Sequence, residues 1–316
     1  MGKILITGGA GFIGSNLVDF LNRHSPEHDV CVLDDFSTGF EENLRNTDCE
    51  VVRGSVLDDT ALDKAMSGVR SVVHLAALGS VPRSVADPLA SHMANATGTV
   101  KVLEAMRKSG VTHGVVASSS SVYGKNPVLP KKESDWTVPI SPYGASKLAT
   151  EAYALAFAHT YEMKIVAFRF FNVFGPRQTA GHPYAAVIPQ FVDAALRRLP
   201  LQIQGTGDQS RDFTFVESVC AAISQACDRE IGHPTPVNLA FGNQISLLAV
   251  AELIGGILGT DLQYEFGPAR PGDVAASQAD PGLFLSLFPS GGSITLRDAL
   301  IRTIDARKLE IEGDHD

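Results

Sequence analysis

Two groups of side chains in this 316-residue sequence have types and spacing that could do chemistry together. Tyr143 and Lys147 stand four apart in Tyr143-Gly144-Ala145-Ser146-Lys147, behind Ser141-Pro142, which read as the N-cap and first turn of a helix. That spacing puts phenol and ammonium on one helix face. A neighbouring positive charge stabilises phenolate, so the expectation is a phenol drawn down from a pKa of about 10 towards the range of a general base. The second group is the hydroxyl run Ser118-Ser119-Ser120-Ser121, followed by Val122-Tyr123-Gly124. A serine at the end of a strand can relay a proton between a substrate hydroxyl and the tyrosine. Ser119 suits that task, whereas Ser118 and Ser120 could equally satisfy their own backbone.

A third group sits at the amino end. Thr7-Gly8-Gly9-Ala10-Gly11-Phe12-Ile13-Gly14 follows a strand and opens a helix. Glycines at 8, 11 and 14 permit a tight turn, close approach of a pyrophosphate and close helix–strand packing. The helix N-terminus offers unpaired N–H groups and partial positive charge to phosphates. Twenty residues beyond Gly14 stands Asp34, whose carboxylate can accept from ribose hydroxyls and would repel a 2′-phosphate. The reading is a dinucleotide site for NAD rather than NADP.

These groups need a scaffold that brings strand ends together. The first half alternates strand-like runs (Lys3–Thr7, Val30–Asp34, Glu50–Arg53, Ser71–Leu75, His113–Ser118, Lys164–Phe170) with helical patterns near Phe12–His24, Asp58–Met66, Thr97–Ser109 and Tyr143–Tyr161. Such alternation predicts an α/β fold, a Rossmann-like doubly wound parallel sheet with helices on both faces. Strands buried on both sides account for continuous runs such as Ser71-Val72-Val73-His74-Leu75. Past Asn172 the pattern loosens to two helical stretches, Tyr184–Leu199 and Ile245–Leu258, among turns and short strands. Lys125–Pro142, with four prolines, reads as a surface excursion, and Glu310–Asp316 as a frayed end. The expected organisation is an NAD-binding domain over 1–172 with a returning segment near 212–242. Residues 173–211 and 243–316 would form a smaller α/β substrate lobe.

Composition sets outer bounds. With 44% hydrophobic and 19% charged residues the chain is an ordinary globular one, long enough to bury a large core unaided. A net charge of −9 disfavours nucleic-acid backbones as partners. Cys31, Cys49, Cys220 and Cys227 lack CxxC or zinc-ligand spacing and read as reduced thiols, so no metal is expected. Met1-Gly2-Lys3 runs straight into the first strand, and no apolar run nears the ~20 residues that cross a bilayer. The expectation is a soluble cytoplasmic protein without membrane contact.

Taken together, the glycine motif, the Leu75-Ala76-Ala77 strand end, the serine run and the Tyr143–Lys147 helix resemble an extended short-chain dehydrogenase/reductase over almost the whole chain. More narrowly the sequence resembles the nucleotide-sugar epimerases, in particular the bacterial UDP-N-acetylglucosamine 4-epimerases of surface-polysaccharide pathways. Three stretches carry that resemblance: His74-Leu75-Ala76-Ala77-Leu78-Gly79-Ser80-Val81-Pro82-Arg83-Ser84, Arg169-Phe170-Phe171-Asn172-Val173-Phe174-Gly175 and Tyr184-Ala185-Ala186-Val187-Ile188-Pro189.

The resemblance implies Tyr143 as base, Lys147 on the nicotinamide ribose, and Ser119 on the sugar O4. It implies cofactor contacts from Gly8, Gly11, Phe12, Ile13, Gly14, Asp34, Asp35, Ser55, Val56, Leu75, Ala76, Ala77, Asn95 and Phe170. Substrate contacts would come from Ser80, Val81, Arg83, Ser120, Ser121, Asn172, Ala186 and Val187. Arg211 and Arg270 would take the UDP phosphates, Asp273 the uridine ribose. Two arginines supply the forked donors a diphosphate wants. Ser55 stands where relatives usually carry an aspartate for the adenine amino group; either Asp58 takes over that task or NAD affinity drops. Family members form homodimers through two helices, here Thr97–Ser109 and Tyr143–Tyr161. Ala152, Leu155, Ala156 and His159 fall on that face, though they would serve equally in a core.

Which reaction follows is decided near the serines. The 4,6-dehydratases carry Asp and Glu immediately after the serine partner, and the UDP-glucuronate decarboxylases usually an acid at the second of those positions. Here both are serine, Ser120 and Ser121, and no cysteine supports 3,5-epimerisation. What remains is 4-epimerisation through a 4-keto sugar, with NAD regenerated each cycle. Ser277 aligns with a residue that is tyrosine in hexose-restricted relatives, so its small side chain favours UDP-GlcNAc/UDP-GalNAc, with UDP-glucose/UDP-galactose as poorer substrates. The alternatives are a UDP-glucuronate 4-epimerase, with Arg83 or Arg177 facing the C6 carboxylate, and a non-catalytic NAD-binding protein. Proteins of the latter kind commonly lose the Tyr or Lys that are present here.

Overall fold

The computed structural model describes residues 2–180, 185–268, 275–289 and 294–313. Its centre is a seven-stranded sheet in the order β11-β6-β5-β4-β1-β2-β3. The strands are β1 (Lys3–Thr7), β2 (Val30–Asp34), β3 (Glu50–Arg53), β4 (Val69–His74), β5 (His113–Ser119), β6 (Lys164–Phe170) and β11 (Val237–Leu239). Every neighbouring pair is parallel. The order reverses between β1 and β4, and the crevice outside the carboxyl ends at such a switch point is where a doubly wound fold binds ligands. The middle strands are apolar throughout because helices cover both faces: Ile4, Leu5 and Ile6 have no exposed surface.

The crossovers are α1 (Phe12–His24), α2 (Asp59–Ala65), α5 (Gly98–Ser109) and α6 (Pro142–Thr160). Two short helices the sequence reading did not anticipate, α3 (Val81–Ala86) and α4 (Pro88–His92), fill the path from β4 to α5, with a π-helical turn at Met93–Thr97. Each short helix opens with proline behind a capping side chain, Ser80 for α3 and Asp87 for α4. α6 starts as expected: Ser141 Oγ accepts from Gly144 N at 3.1 Å, with Pro142 at the first helical position. Lys125–Pro142 is irregular as expected but not purely superficial. Lys131 N donates to Gln278 O and Asp280 N to Lys131 O, both at 2.8 Å.

Beyond β6 lie β7 (Val173–Phe174), α7 (Val187–Leu196), β8 (Leu201–Gln204), β9 (Ser210–Arg211) and β10 (Thr214–Phe215). After them come α8 (Val216–Asp228), β12 (Ile245–Ser246), α9 (Leu247–Leu258), β13 (Tyr264–Gly267), α10 (Gly282–Leu287) and α11 (Leu296–Gly313). The expected helices over Tyr184–Leu199 and Ile245–Leu258 are thus shorter, and α8 and α11 are additional. Glu310–Gly313 is the last turn of α11 rather than a frayed end, while 314–316 lie outside the described residues. Apolar faces of α1, α7, α8, α9 and α11 merge with the sheet in one core that includes Leu17, Ile188, Val219, Ile254 and Leu300.

Candidate active site

A cleft of about 1000 Å³ runs along the carboxyl rim of the sheet. Its first section is built by the β1–α1 turn. Gly8 has a φ of +74°, and a Cβ on Gly14 would sit 2.2 Å from Gly8 O, so the helix can start against the turn only with glycine there. A Cβ on Gly11 would meet only Gly8 O, at 3.3 Å, which leaves that side open to a ligand. Asp34 lies across from it, accepting from Ala10 N at 2.9 Å and Phe36 N at 2.8 Å. These bonds hold the carboxylate in place; burial nonetheless raises its pKa. A backbone cradle at a helix N-terminus facing a fixed acid fits the diphosphate and adenosine ribose of NAD.

Phe12, Ile13, Asp35, Ser55, Val56, Leu75, Ala76, Ala77 and Phe170 also line the cleft, as the sequence reading expected of cofactor contacts. Asn95 does not. Its amide accepts from Leu78 N (2.8 Å) and donates to Leu78 O (3.2 Å) and Ser146 Oγ (2.9 Å), so it braces the β4 loop against α6 and contributes to the cleft only through them. Asp58, the candidate to stand in for an adenine-binding aspartate, does not line the cleft and caps α2, accepting from Thr60 N at 2.9 Å. Ser37, Thr38, Gly39 and Asn43, absent from the sequence reading, also line this section. The available signal was the short polar loop directly after Asp34.

The second section holds the reactive groups. β5 delivers Ser119 and the turn after it Ser120 and Ser121; α6 delivers Tyr143 and Lys147, and all five line the cleft. The two elements meet closely, since a Cβ on Gly144 would lie 2.8 Å from Ser121 O. Ser84 Oγ accepts from Tyr143 N at 3.0 Å, fastening α3 to the head of α6. Lys147 Nζ is buried and donates to Ala117 O at 2.9 Å. Burial lowers its pKa to about 8. The Tyr143 phenol departs from expectation: burial raises its pKa, and the hydrogen bond with Ser119 offsets this only in part. With the ammonium committed to a carbonyl, desolvation outweighs the attraction anticipated from the spacing.

Below these groups a buried lattice fixes the register of α6 on the sheet. Arg169 of β6 pairs with Glu151 through Nε–Oε2 (2.9 Å) and a terminal nitrogen to Oε1 (2.7 Å). Ser118 Oγ donates to Glu151 Oε2 at 2.8 Å, so this serine is structural. The Arg169 guanidinium lies 4.6 Å from the Tyr123 ring centre. His74 bridges Thr7 and Thr99 at 2.7 and 3.1 Å, and burial lowers its pKa to about 3, keeping it neutral.

The third section opens towards the later elements. Ser80, Arg83, Asn172 and Ala186 line the main cleft, and Asn172, Ala186, Val187 and Arg211 line an adjoining cavity of about 210 Å³. Gln204 and Gln209 add amides to that smaller cavity. Asp212 holds the chain beside Arg211, accepting from Gly242 N, Asn243 N and Ala279 N at 3.0, 3.2 and 3.0 Å. Burial still lifts its pKa to about 6. Val81, expected at the substrate, is left exposed away from both cavities. Ser277 lines neither cavity but is tied to this region, its N donating to Ser210 O at 3.0 Å. Arg270 and Asp273 lie outside the described residues.

Among the described residues no cluster of His, Cys, Asp or Glu could hold a metal, and no helix is long and apolar enough to cross a membrane. A doubly wound sheet with a dinucleotide cradle and a Ser–Tyr–Lys set at its carboxyl rim defines an NAD-dependent enzyme that works on carbon–oxygen bonds. Comparison narrows the class. The model of the NAD dependent epimerase/dehydratase family matches residues 4–240, and the chain belongs to that family. It is an NAD-dependent epimerase, an isomerase, with NAD as its cofactor.

A UDP-glucose 4-epimerase of Mycolicibacterium smegmatis is 35% identical over 309 residues, 96% of this chain and 97% of that protein. A UDP-N-acetylglucosamine 4-epimerase from Methanobrevibacter ruminantium, solved with UDP-N-acetylmuramic acid, superposes with a TM-score of 0.92 at 35% identity, covering 98% and 99% of the two chains. A UDP-glucuronic acid 4-epimerase from Bacillus cereus, solved with UDP-glucuronic acid and NAD, gives 0.88 at 29% identity over 97% and 99%.

Proposed function

We propose that the protein interconverts C4 epimers of UDP-sugars, with the 2-acetamido pair UDP-GlcNAc/UDP-GalNAc as its preferred substrates. The observation that carries this reading is the convergence of Ser119, Tyr143 and Lys147 in one cleft with serine, not acid, at positions 120 and 121. Elimination needs groups that move protons at neighbouring carbons, and neither serine can do so at neutral pH. Bound NAD supplies the reversible hydride acceptor at the sugar C4.

The rest falls to the chain's own residues. Tyr143 takes the O4 proton, Ser119 holds O4 beside it, and Lys147 orients the ribose and biases the phenol through charge. Asn172 and Arg211 anchor the diphosphate while the keto ring turns to offer its other face. Ser277, beside β9 though it lines neither cavity, is assigned to the acetamido group by the resemblance alone. Two copies would associate through α5 and α6.

The test is incubation of purified protein, without added NAD, with UDP-GlcNAc, UDP-glucose and UDP-glucuronate separately, followed by chromatographic separation of epimers. The expected result is fastest conversion of UDP-GlcNAc, slower conversion of UDP-glucose and none of UDP-glucuronate. A Ser277→Tyr variant should lose the acetamido sugar while keeping the hexose. Preferred turnover of UDP-glucuronate would overturn the substrate assignment, and release of a dehydrated sugar would overturn the reaction.

A further inference from the structure

The main cleft has three cationic residues among its described lining, and the structure separates their stations. Lys147 lies under the reactive groups on Ala117 O. Arg83 sits on α3 beside Ser84, whose hydroxyl accepts from Tyr143 N. Arg177 is elsewhere: one of its terminal nitrogens donates to Ser15 O, in the first turn of α1, at 2.8 Å. It has no other hydrogen-bond partner among the described residues. The same turn is tied a second time, by Asn16 Nδ2 donating to Pro176 O at 2.9 Å. Between those two ties Arg177 holds a left-handed φ of +63°, a conformation that L side chains seldom adopt unless the surroundings impose it. Its neighbour Gln178 also lines the cleft, donating to Val173 O at 3.1 Å while its Oε1 is buried with no partner.

A dinucleotide diphosphate carries two negative charges, and a helix N-terminus answers them with only about half a positive one. Asp34 and Asp35 add negative charge to the same cleft. A fixed guanidinium at the first turn of α1 is the complement this arrangement lacks.

We infer that Arg177 is a ligand of the cofactor diphosphate. The turn Gly175–Gln178, fastened to α1 at Ser15 and Asn16, is then a clasp that retains NAD from one turnover to the next. This inference rests on NAD as the cofactor and is independent of which sugar is turned over. It also removes Arg177 from the candidates for a sugar carboxylate, a role open to it on sequence alone.

The test uses the full-length protein with Arg177→Gln, Arg177→Lys and Asn16→Ala. NAD per chain is measured after purification and gel filtration by denaturing release and chromatography, and affinity by NAD titration of stripped protein. Arg177→Gln should weaken NAD binding by roughly tenfold to a hundredfold, the scale of a lost charge-assisted hydrogen bond. Arg177→Lys should fall between it and wild type. Asn16→Ala should release NAD faster. Under saturating NAD, the KM for UDP-sugar should be unchanged in all three.

Retention of stoichiometric NAD with unchanged affinity in Arg177→Gln would overturn the inference. So would a change confined to the KM of a uronate substrate. If Arg177→Gln does not fold, wild-type NAD affinity in both Arg177→Lys and Asn16→Ala would overturn it just as well.

Discussion

Burial works against the charged form of both Tyr143 and Lys147. Burial keeps the phenol protonated and brings the ammonium within reach of neutrality near pH 8. A cationic nicotinamide in the same cleft would favour the phenolate and disfavour the ammonium, so it offsets the cost of desolvation at Tyr143 alone and ties the phenol's readiness for proton transfer to the loaded state. Lys147 has a pH signature that follows from its sign. Its folded pKa of about 8 lies below the unfolded value of about 10.4. Between those values the unfolded chain binds the extra proton, so stability of cofactor-stripped protein from this group rises with pH across that window. The expected outcome is a wild-type gain of about 3 kcal/mol from pH 8 to 10.5, relative to Lys147→Met, in urea unfolding. The same variant should lose turnover by at least about a hundredfold. Parallel pH curves for the two proteins would show that Lys147 is not desolvated.

At the scale of elements, α6 is the part on which the chemistry depends, and its seat is polar. The Glu151–Arg169 pair, with side chains 5% and 4% exposed, joins it to β6, and Ser118 joins it to β5. Removing one partner of such a pair leaves an uncompensated buried charge. Arg169→Met should therefore cost about 3–5 kcal/mol, read as a lowered midpoint in thermal or urea unfolding. A loss under about 1 kcal/mol would mean that Glu151 finds water or another donor.

Elements of this kind were legible where they announce themselves. Ser141-Pro142 marks the start of α6, and βα alternation in the first half predicted six of the seven strands; β11 lies past Asn172, where the pattern loosens. α8 leads directly out of β10 with no capping side chain, so no start signal marked it although its apolar face is present in the sequence. α11 was obscured for a different reason, because its latter half is mostly charged. The site followed the same division. Glycines, Asp34 and the Tyr143–Lys147 spacing declare themselves through local geometry. The inward turn of Asn95 and the left-handed Arg177 depend on partners 17 and 162 residues away.

The whole molecule leaves an apolar surface on the side of α6. Tyr153 is 46% exposed, Val85 and Leu89 on α3 and α4 still more, and Ala152, Ala156 and His159 are all exposed. Leu155, expected on the same face, is only half-exposed. This is the surface that the proposed pairing of α5 and α6 between two copies would cover. Sedimentation velocity should show a dimer for wild type and a monomer for Tyr153→Glu. A wild-type monomer at micromolar concentration would refute the pairing.

The cleft draws its reactive groups from β5 and α6, and its outer wall from chain segments after residue 172 that share no backbone with them. Substitutions in that wall outside the Arg177 clasp can therefore accumulate without disturbing the hydride and proton machinery. Evolutionary drift in ligand preference comes cheaply to such a design. Relatives named for glucose, N-acetylglucosamine and glucuronate nucleotides accordingly stand at similar distances from this chain. Ancestry alone is a poor guide to which sugar any one of them prefers.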